Sequence, residues 1–571
     1  MLRPTMTLAL LAAPSLAWGQ AAGLDSGTSC SFATIQDAID AASPGDTVYV
    51  SPGTFNEHLY INKSIDLMGG ANSTCTGLTG SDRTTLGLPP GPNIHTTLVI
   101  DSTSGVFVHQ FDIENGQDLQ HGGNATVYDS TSVVFDDVTL SGGSAPTHGG
   151  NLYVKGGSVT LDGTTVSRGS SAEGGGVAVV DAGLTLMSSE IVGNTAARGG
   201  GLYLQGDVSM GCYLTAFDGS LVGDNVASED GGGVHALGST VIVAGDGPGL
   251  FVLRNDASLN GGGLYMNAEP GVLTPLVDGV VFEDNTADGD GGGLYLTTDY
   301  PRPFDITVLD ATVLNNTATN GGGLALAADA TTAVGVYDTH FEGNIADDEG
   351  GGAWVDAGSL HLESTATAYI MRNGTSTMFI DNSAYTRGGG LFSHDDVVMQ
   401  RVGFHNNDTH NANGTGPHEI GNFGNLDATN LFVMGDGGMS VRTFAGGNSD
   451  FRHFTLDGGT VNTTILRYDS GSTGSVIASI VEGGRVREWV TGDLDARCSL
   501  FTNTPTGTYL DTDSCIGTGC LPDYYWNWKN DYTPSATSIA RDACAAYSGE
   551  TTQLMGIHAR DASPDMGAFE Y

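Results

Sequence analysis

The chain has 571 residues, 87 of them glycine, and carries 65 acidic against 20 basic side chains for a formal net charge of −45. A surface this acidic repels phosphate backbones and anionic lipid, which argues against a nucleic-acid partner. After the first residues, no stretch of the sequence is long and apolar enough for a transmembrane helix.

Residues 1–19, "MLRPTMTLALLAAPSLAWG", have one arginine, a short apolar run and small residues at Ala17 and Gly19. They predict a cleaved signal peptide, hence a secreted or surface-associated protein. No cysteine follows Gly19, so no lipid anchor is expected. Residues 20–45 are read as an N-terminal cap. Thr34 with Asp37 forms a capping-box pattern, Ile35, Ala38, Ile39 and Ala42 fall on one helical face, and Pro44-Gly45-Asp46 stops the helix. A short helix there would close the first coil of a solenoid, which otherwise exposes apolar core and strand edges.

From residue 46 to 500 the sequence reads as short β-branched or alternating apolar runs punctuated by Gly, Asn, Asp and Ser. One unit recurs, for example "VVFEDNTADGDGGGLYL" at 280–296 and "HFEGNIADDEGGGAWV" at 340–355. Triple glycines begin at 174, 199, 231, 261, 291, 321, 350 and 388, with weaker Gly-Gly-Asn versions at 122 and 149. The spacing is 25 to 38 residues, a solenoid period. The clearest repeats span 120–407. Each coil is expected to supply three short parallel strands. Phe282 and its counterparts Ile191, Leu221, Phe341 and Phe379 are expected to point inward. Asn194, Asn285, Asn316, Asn344 and Asn382 are expected at a corner, where asparagine tolerates left-handed backbone and can form a ladder. The glycines supply positive φ and close backbone approach.

Residues 501–571 are read as a C-terminal cap with an aromatic heart in "DYYWNWKNDY", 523–532. Cys30 and Cys75 bracket the N-terminal segment, while Cys498, Cys515, Cys520 and Cys544 cluster near the other end. In an exported protein these predict disulfides stapling both ends, with the pairing and the role of Cys212 open.

The Phe-x-x-Asn and Gly-Gly-x pattern resembles the repeat of bacterial polymorphic outer-membrane proteins, well over 188–407 and more loosely over 120–187. The resemblance implies a right-handed parallel β-helix at the cell surface or outer membrane, with an adhesive role. It departs in one respect: no series of long amphipathic strands follows the repeats, so a membrane-embedded barrel is not expected. Residues 32–70 also resemble the start of secreted β-helix proteins, including pectin-acting enzymes.

Such enzymes need paired carboxylates, or acids with a nearby base, on adjacent strands. Asp136-Asp137 is the one tempting carboxylate pair, but the companion motifs of polygalacturonases and pectin methylesterases are missing. Arg401 and Arg442 are isolated candidates for a lyase base. The repeat breaks at 402–425, where His405, Asp408, His410, His418 and Glu419 crowd together, a set that can bind metal or move protons. The acidic turns Asp288–Asp290 and Asp347–Glu349 (Asp288, Asp290, Asp347, Asp348, Glu349) are the places where calcium would bind.

These readings give an all-β, right-handed parallel β-helix with a short capping helix and a disulfide-bearing C-terminal cap. No catalytic residue is assigned and no cofactor is required, calcium aside. The expected role is adhesion or binding of an extracellular glycan or cell-surface component. The alternatives are a secreted polysaccharide-active enzyme and a passive surface rod. The sequence leaves the oligomeric state open.

Overall fold

The computed structural model describes residues 22–24, 29–88, 95–207, 211–238, 240–244, 249–269, 273–298, 305–329, 331–365, 376–410, 416–435, 438–452, 454–457, 464–477, 479–482, 485–488, 493–497, 499–501, 509–510 and 515–516. The predicted signal peptide and most of the predicted C-terminal cap lie outside this set. So do the side chains of Cys498, Cys515, Cys520 and Cys544.

The chain winds into a parallel β-solenoid whose successive coils pair strand on strand. The coil at 264–293 shows the plan. Ladder I contributes Leu264–Ala268, ladder II Leu276–Asp278, ladder III Val280–Glu283 and ladder IV Thr286–Ala287. Triple glycine 291–293 then leads into the next ladder I strand, Leu294–Thr297. Ladders I and II share one sheet, and in Ala125–Asp136 and Leu152–Asp162 they run as single long strands. Ladder III runs from Gly53–Asn56 to Cys515–Ile516. Ladder IV is shorter, nine strands from Ser170–Glu173 to Asp408–Thr409. The structure thus has the expected three sheets but four strand segments per coil over these residues. The extra one arises because the two residues after the corner asparagine also pair.

Inward side chains stack coil on coil. In ladder III, Ile191, Val222, Val252, Phe282, Val313, Phe341, Phe379 and Phe404 occupy one column and are buried. Phe341, Phe379 and Phe404 lie nearly parallel, with ring centroids 4.6 and 4.7 Å apart. Val222, not Leu221, fills this column. Strand side chains alternate between faces, so a one-residue slip reverses direction. Counting three residues back from the corner Asn225 gives Val222, and Leu221 faces outward, half-buried.

The corner is a continuous ladder of buried amides. Asn124, Asn151, Asn194, Asn225, Asn255, Asn285, Asn316, Asn344, Asn382 and Asn407 each donate from Nδ2 to the carboxamide oxygen of the next, over 2.8–3.2 Å, and Asn407 ends the series on Glu419. The second Nδ2 proton goes to a strand carbonyl, as from Asn285 to Val252 O at 2.9 Å. The ladder expected from the sequence is present, but the asparagines do not take the left-handed backbone. From Asn194 onward the residue before each one does, as at Asp224, Asp284, Asn315 and Asn406, with φ of 54, 55, 53 and 57°, whereas Asn124 and Asn151 reach the ladder from the Gly-Gly-Asn runs, whose first glycines, Gly122 and Gly149, are left-handed. That single left-handed step turns the chain and aims the following asparagine inward.

The glycines divide their labour. Gly291, first of its triplet, has φ +70°, while a Cβ on Gly292 would sit 2.5 Å from both Gly322 O and Thr317 O. The first glycine is needed for its backbone angle and the second because neighbouring coils leave no room for a side chain.

At the N-terminal end, helix α1 (Ile35–Ala41) is capped by Thr34, whose side chain accepts from Asp37 N, and Glu57 accepts from the amides of Ile35 and Gln36. Ile35, Ala38 and Ile39 join the main core, as the helix face predicts. Cys30 and Cys75 form a disulfide across 45 residues, which fixes this end. Cys212 is a buried free thiol, pushed up to about 12 by burial. Among the described residues no helix is long and apolar enough to cross a membrane.

Candidate functional site

The residues singled out by sequence separate in three dimensions. Asp136 bonds His109 at 2.5 Å while Asp137 pairs with Arg83 at 2.7 Å, so the two carboxylates do not share a site. Arg401 pairs with Glu363. Arg442 shares Asp469 with Arg467, both at 2.7 Å, and lies over the Phe444 ring at 4.1 Å.

In the repeat break, His418 meets Asp408 at 3.0 Å, and Glu419 is buried at the end of the amide ladder. His405 is half-buried on the strand Gly403–His405, and His410 is exposed. The structure therefore joins Asp408 to His418, gives Glu419 a structural acceptor role, and leaves the two other histidines apart from them.

In the acidic turns, Asp290 accepts from Asn320 at 2.9 Å, Asp348 accepts from Thr386 at 2.7 Å, and Glu349 pairs with Arg387 and His394. Glu349 raises the His394 pKa through that bond. Burial raises the pKa of Asp290. Asp288 and Asp347 are exposed. Among the described residues no three His, Cys, Asp or Glu side chains converge as a ready metal cage.

A different line of residues carries more chemistry. The position just before each glycine run repeats from coil to coil, and at the N-terminal end it reads His121, His148, Glu173, Arg198. His121 pairs with His148 and His148 with Glu173 as backbone bridges, and Glu173 with Arg198 in ladder IV. The side chains are linked as well. His121 Nδ1 and His148 Nδ1 lie 3.2 Å apart, His148 Nε2 meets Glu173 Oε2 at 2.7 Å, and Arg198 holds the other Glu173 oxygen. The bond from His148, with help from Arg198, lowers the Glu173 pKa. Burial, with His148 nearby, lowers the pKa of His121.

Beside this line lies a cleft of about 290 Å³ whose lining includes His58, His95, Asp118, Gln120, His121 and Tyr128. His58 Nδ1 donates to Thr96 O at 2.5 Å. The ladder I column next to it stacks Tyr203, His235, Tyr265 and Tyr295, with ring centroids 4.7–5.6 Å apart and planes within 12°. Stacked this way, the rings occupy one another's faces. Burial drives His235 down to about 3 and Tyr153 up to about 12.

Sequence reading missed this histidine line. Its signal was present: His-Gly-Gly occurs at 121–123 and again at 148–150, one coil apart.

The same edge of the solenoid, from the corner asparagines to the glycine runs, bears exposed apolar side chains. Leu119 is 68% exposed, Val226 43%, Leu259 48%, Ile345 46% and Tyr385 58%. All five lie on ladder IV, its turn, or the equivalent segment of an earlier coil.

Residues 279–297, the corner of one such coil, match the Chlamydia polymorphic membrane protein repeat. The chain carries that repeat. The matched stretch contains Phe282, Asn285 and Gly291–Gly293, the core ring, ladder amide and glycine turn described above. The polymorphic membrane protein repeat is thus one corner of the solenoid, and the Asn ladder shows the same corner stacked repeatedly from Asn194 to Asn407. No curated protein is a significant match to the chain.

Proposed function

We propose that this is an exported bacterial surface solenoid that binds an extracellular glycan or cell-surface component along the ladder IV edge, without catalysis. One observation carries the reading: five large apolar side chains stand exposed on a single edge. Carboxylates of Glu229, Asp288 and Asp347 share that edge. Exposed apolar side chains repeated along one face among polar groups mark an interaction surface. Between Gln117 and Asp408 the edge spans eleven coils, about 50 Å at the strand spacing of a sheet. The polymorphic membrane protein repeat supports placement at the bacterial surface.

A second reading has one observation in its favour. The Glu173–His148–His121 line beside a cleft has the hydrogen-bonded form of an oriented acid–base pair. Native gels cast with acidic and neutral polysaccharides separate the two. Retarded migration with intact glycan supports binding, and cleared zones after glycan staining support depolymerisation.

A further inference from the structure

We infer that His121 and His148 form the protein half of a binding site for a first-row divalent transition cation of the zinc class. Their facing Nδ1 atoms would serve as ligands, and the remaining positions would be open to water or an external donor.

Nδ1 of His121 and Nδ1 of His148 face each other at 3.2 Å. Two imidazole nitrogens that each hold zinc at 2.0–2.1 Å in a tetrahedral arrangement stand about 3.3 Å apart. The pair already has the spacing of one edge of such a site.

The outer shell fits as well. A metal-bound imidazole is held by giving its other ring N–H to a carboxylate or carbonyl. His148 Nε2 is 2.7 Å from Glu173 Oε2, so that proton is engaged and the Nδ1 lone pair is directed at His121. Arg198 holds the second Glu173 oxygen, which fixes the carboxylate. The His121 ring is fixed by stacking on Tyr153, with centroids 4.5 Å apart.

Thr147 Oγ1 donates to Gln120 O, so across 2.8 Å it accepts from His121 Nδ1; a bound cation takes the place of that proton, with His121 moving to its Nε2–H tautomer. No third His, Cys, Asp or Glu converges on the pair among the described residues. The site is therefore open, and the adjoining cleft gives an incoming ligand access to it. Imidazole donors favour zinc, copper and nickel over calcium or magnesium, which separates this site from the acidic turns. The inference is independent of the glycan reading.

The test is calorimetric titration of zinc chloride into the untagged full chain, with a thermal melt at each ratio. The expected result is one saturable site that raises the melting temperature. His121→Ala and His148→Ala each weaken it at least roughly tenfold, and Glu173→Gln weakens it roughly tenfold through loss of the orienting carboxylate. His340→Ala, on a distant coil, leaves it unchanged. Absence of saturable binding, or binding that survives both alanine substitutions within twofold, overturns the proposal. If an alanine variant fails to fold, diethylpyrocarbonate labelling of the unmutated chain decides. Zinc then protects His121 and His148 while the exposed His410 still reacts. Equal labelling of all three with and without zinc overturns the site.

Discussion

Asn285 Nδ2 donates to Asn316 Oδ1 at 2.9 Å, and the same oxygen accepts the Asn285 backbone amide at 3.0 Å. Asn255 does the same to Asn285 one coil earlier. Every donor and acceptor of the Asn285 amide is thereby engaged in a dry environment, which is the condition under which a buried polar network stabilises. The amides all point the same way, so their dipoles add along the ladder. Glu419 sits at the donor end, where its side-chain oxygen accepts the last N–H.

Asn285→Ala leaves the Asn255 amide and one of its Nδ2 protons without an acceptor. The expected cost is about 3–5 kcal/mol, from two stranded buried donors. Asn285→Asp is expected to melt lower still at neutral pH. It turns a carboxylate oxygen toward Val252 O and Asn316 Oδ1, and burying an unpaired charge adds to the loss. Thermal melts of the two variants against the unmutated chain check both the sign and the order.

Glu419→Leu removes the ladder's final acceptor. Asn407 Nδ2 keeps Phe379 O at 2.9 Å but loses its second partner. A loss of about 1–3 kcal/mol is expected. Glu419→Gln, which keeps a side-chain oxygen, is expected to retain most of the stability. Equal melting temperatures for the Leu variant and the unmutated chain would contradict the role given to Glu419.

Two glycines should differ sharply in their tolerance of a side chain. Gly292→Ala forces a Cβ to within 2.5 Å of two carbonyl oxygens and should prevent normal stacking of that corner. Gly193 has φ +63° with open space around its Cβ position, and the equivalent places hold Asp224, Asp284 and Asn315. Gly193→Asn is therefore expected to change stability by less than about 1 kcal/mol. Chemical denaturation of the pair measures the contrast.

His235 gives the fold a pH dependence. Its ordinary pKa is 6.5 and burial in the ring stack lowers it to about 3. The unfolded chain binds the proton more readily, so this contribution is complete above 6.5 and is lost as pH falls toward 3. The limiting slope is about 1.4 kcal/mol per pH unit. His235→Tyr, which matches Tyr203 and Tyr265 in the same stack, removes that proton uptake. Melting temperatures from pH 7 to 5 should fall less steeply in the variant, and parallel curves would rule the explanation out.

Much of this architecture was legible in the sequence, because the period and the Phe-x-x-Asn and triple-glycine pattern specify a corner. Helix α1 was readable from Thr34 and the spacing of Ile35, Ala38 and Ile39. What failed were details that pattern alone does not fix. Leu221 and Val222 are both apolar neighbours, and only the three-residue offset from Asn225 separates inward from outward. The left-handed step was assigned to asparagine, yet it falls on the residue before it, which varies among Gly, Asp, Asn and Arg and so shows no consensus. The candidate site was less readable. His405, Asp408, His410, His418 and Glu419 crowd in sequence, but winding places them in different environments. His121, His148 and Glu173 are distant in sequence, and stacking brings them together.

The claim most open to direct test is that the ladder IV edge is the binding surface. The measurement is electrophoresis through polysaccharide-containing native gels of the unmutated chain beside a variant carrying Leu119→Ser, Leu259→Ser, Ile345→Ser and Tyr385→Ser. All four positions are exposed, so the variant should fold. At least one glycan is expected to slow the unmutated protein without being degraded, and the variant is expected to run freely through it. Equal retardation of both proteins, free migration of the unmutated chain through every glycan, or a cleared zone along its track would contradict the claim.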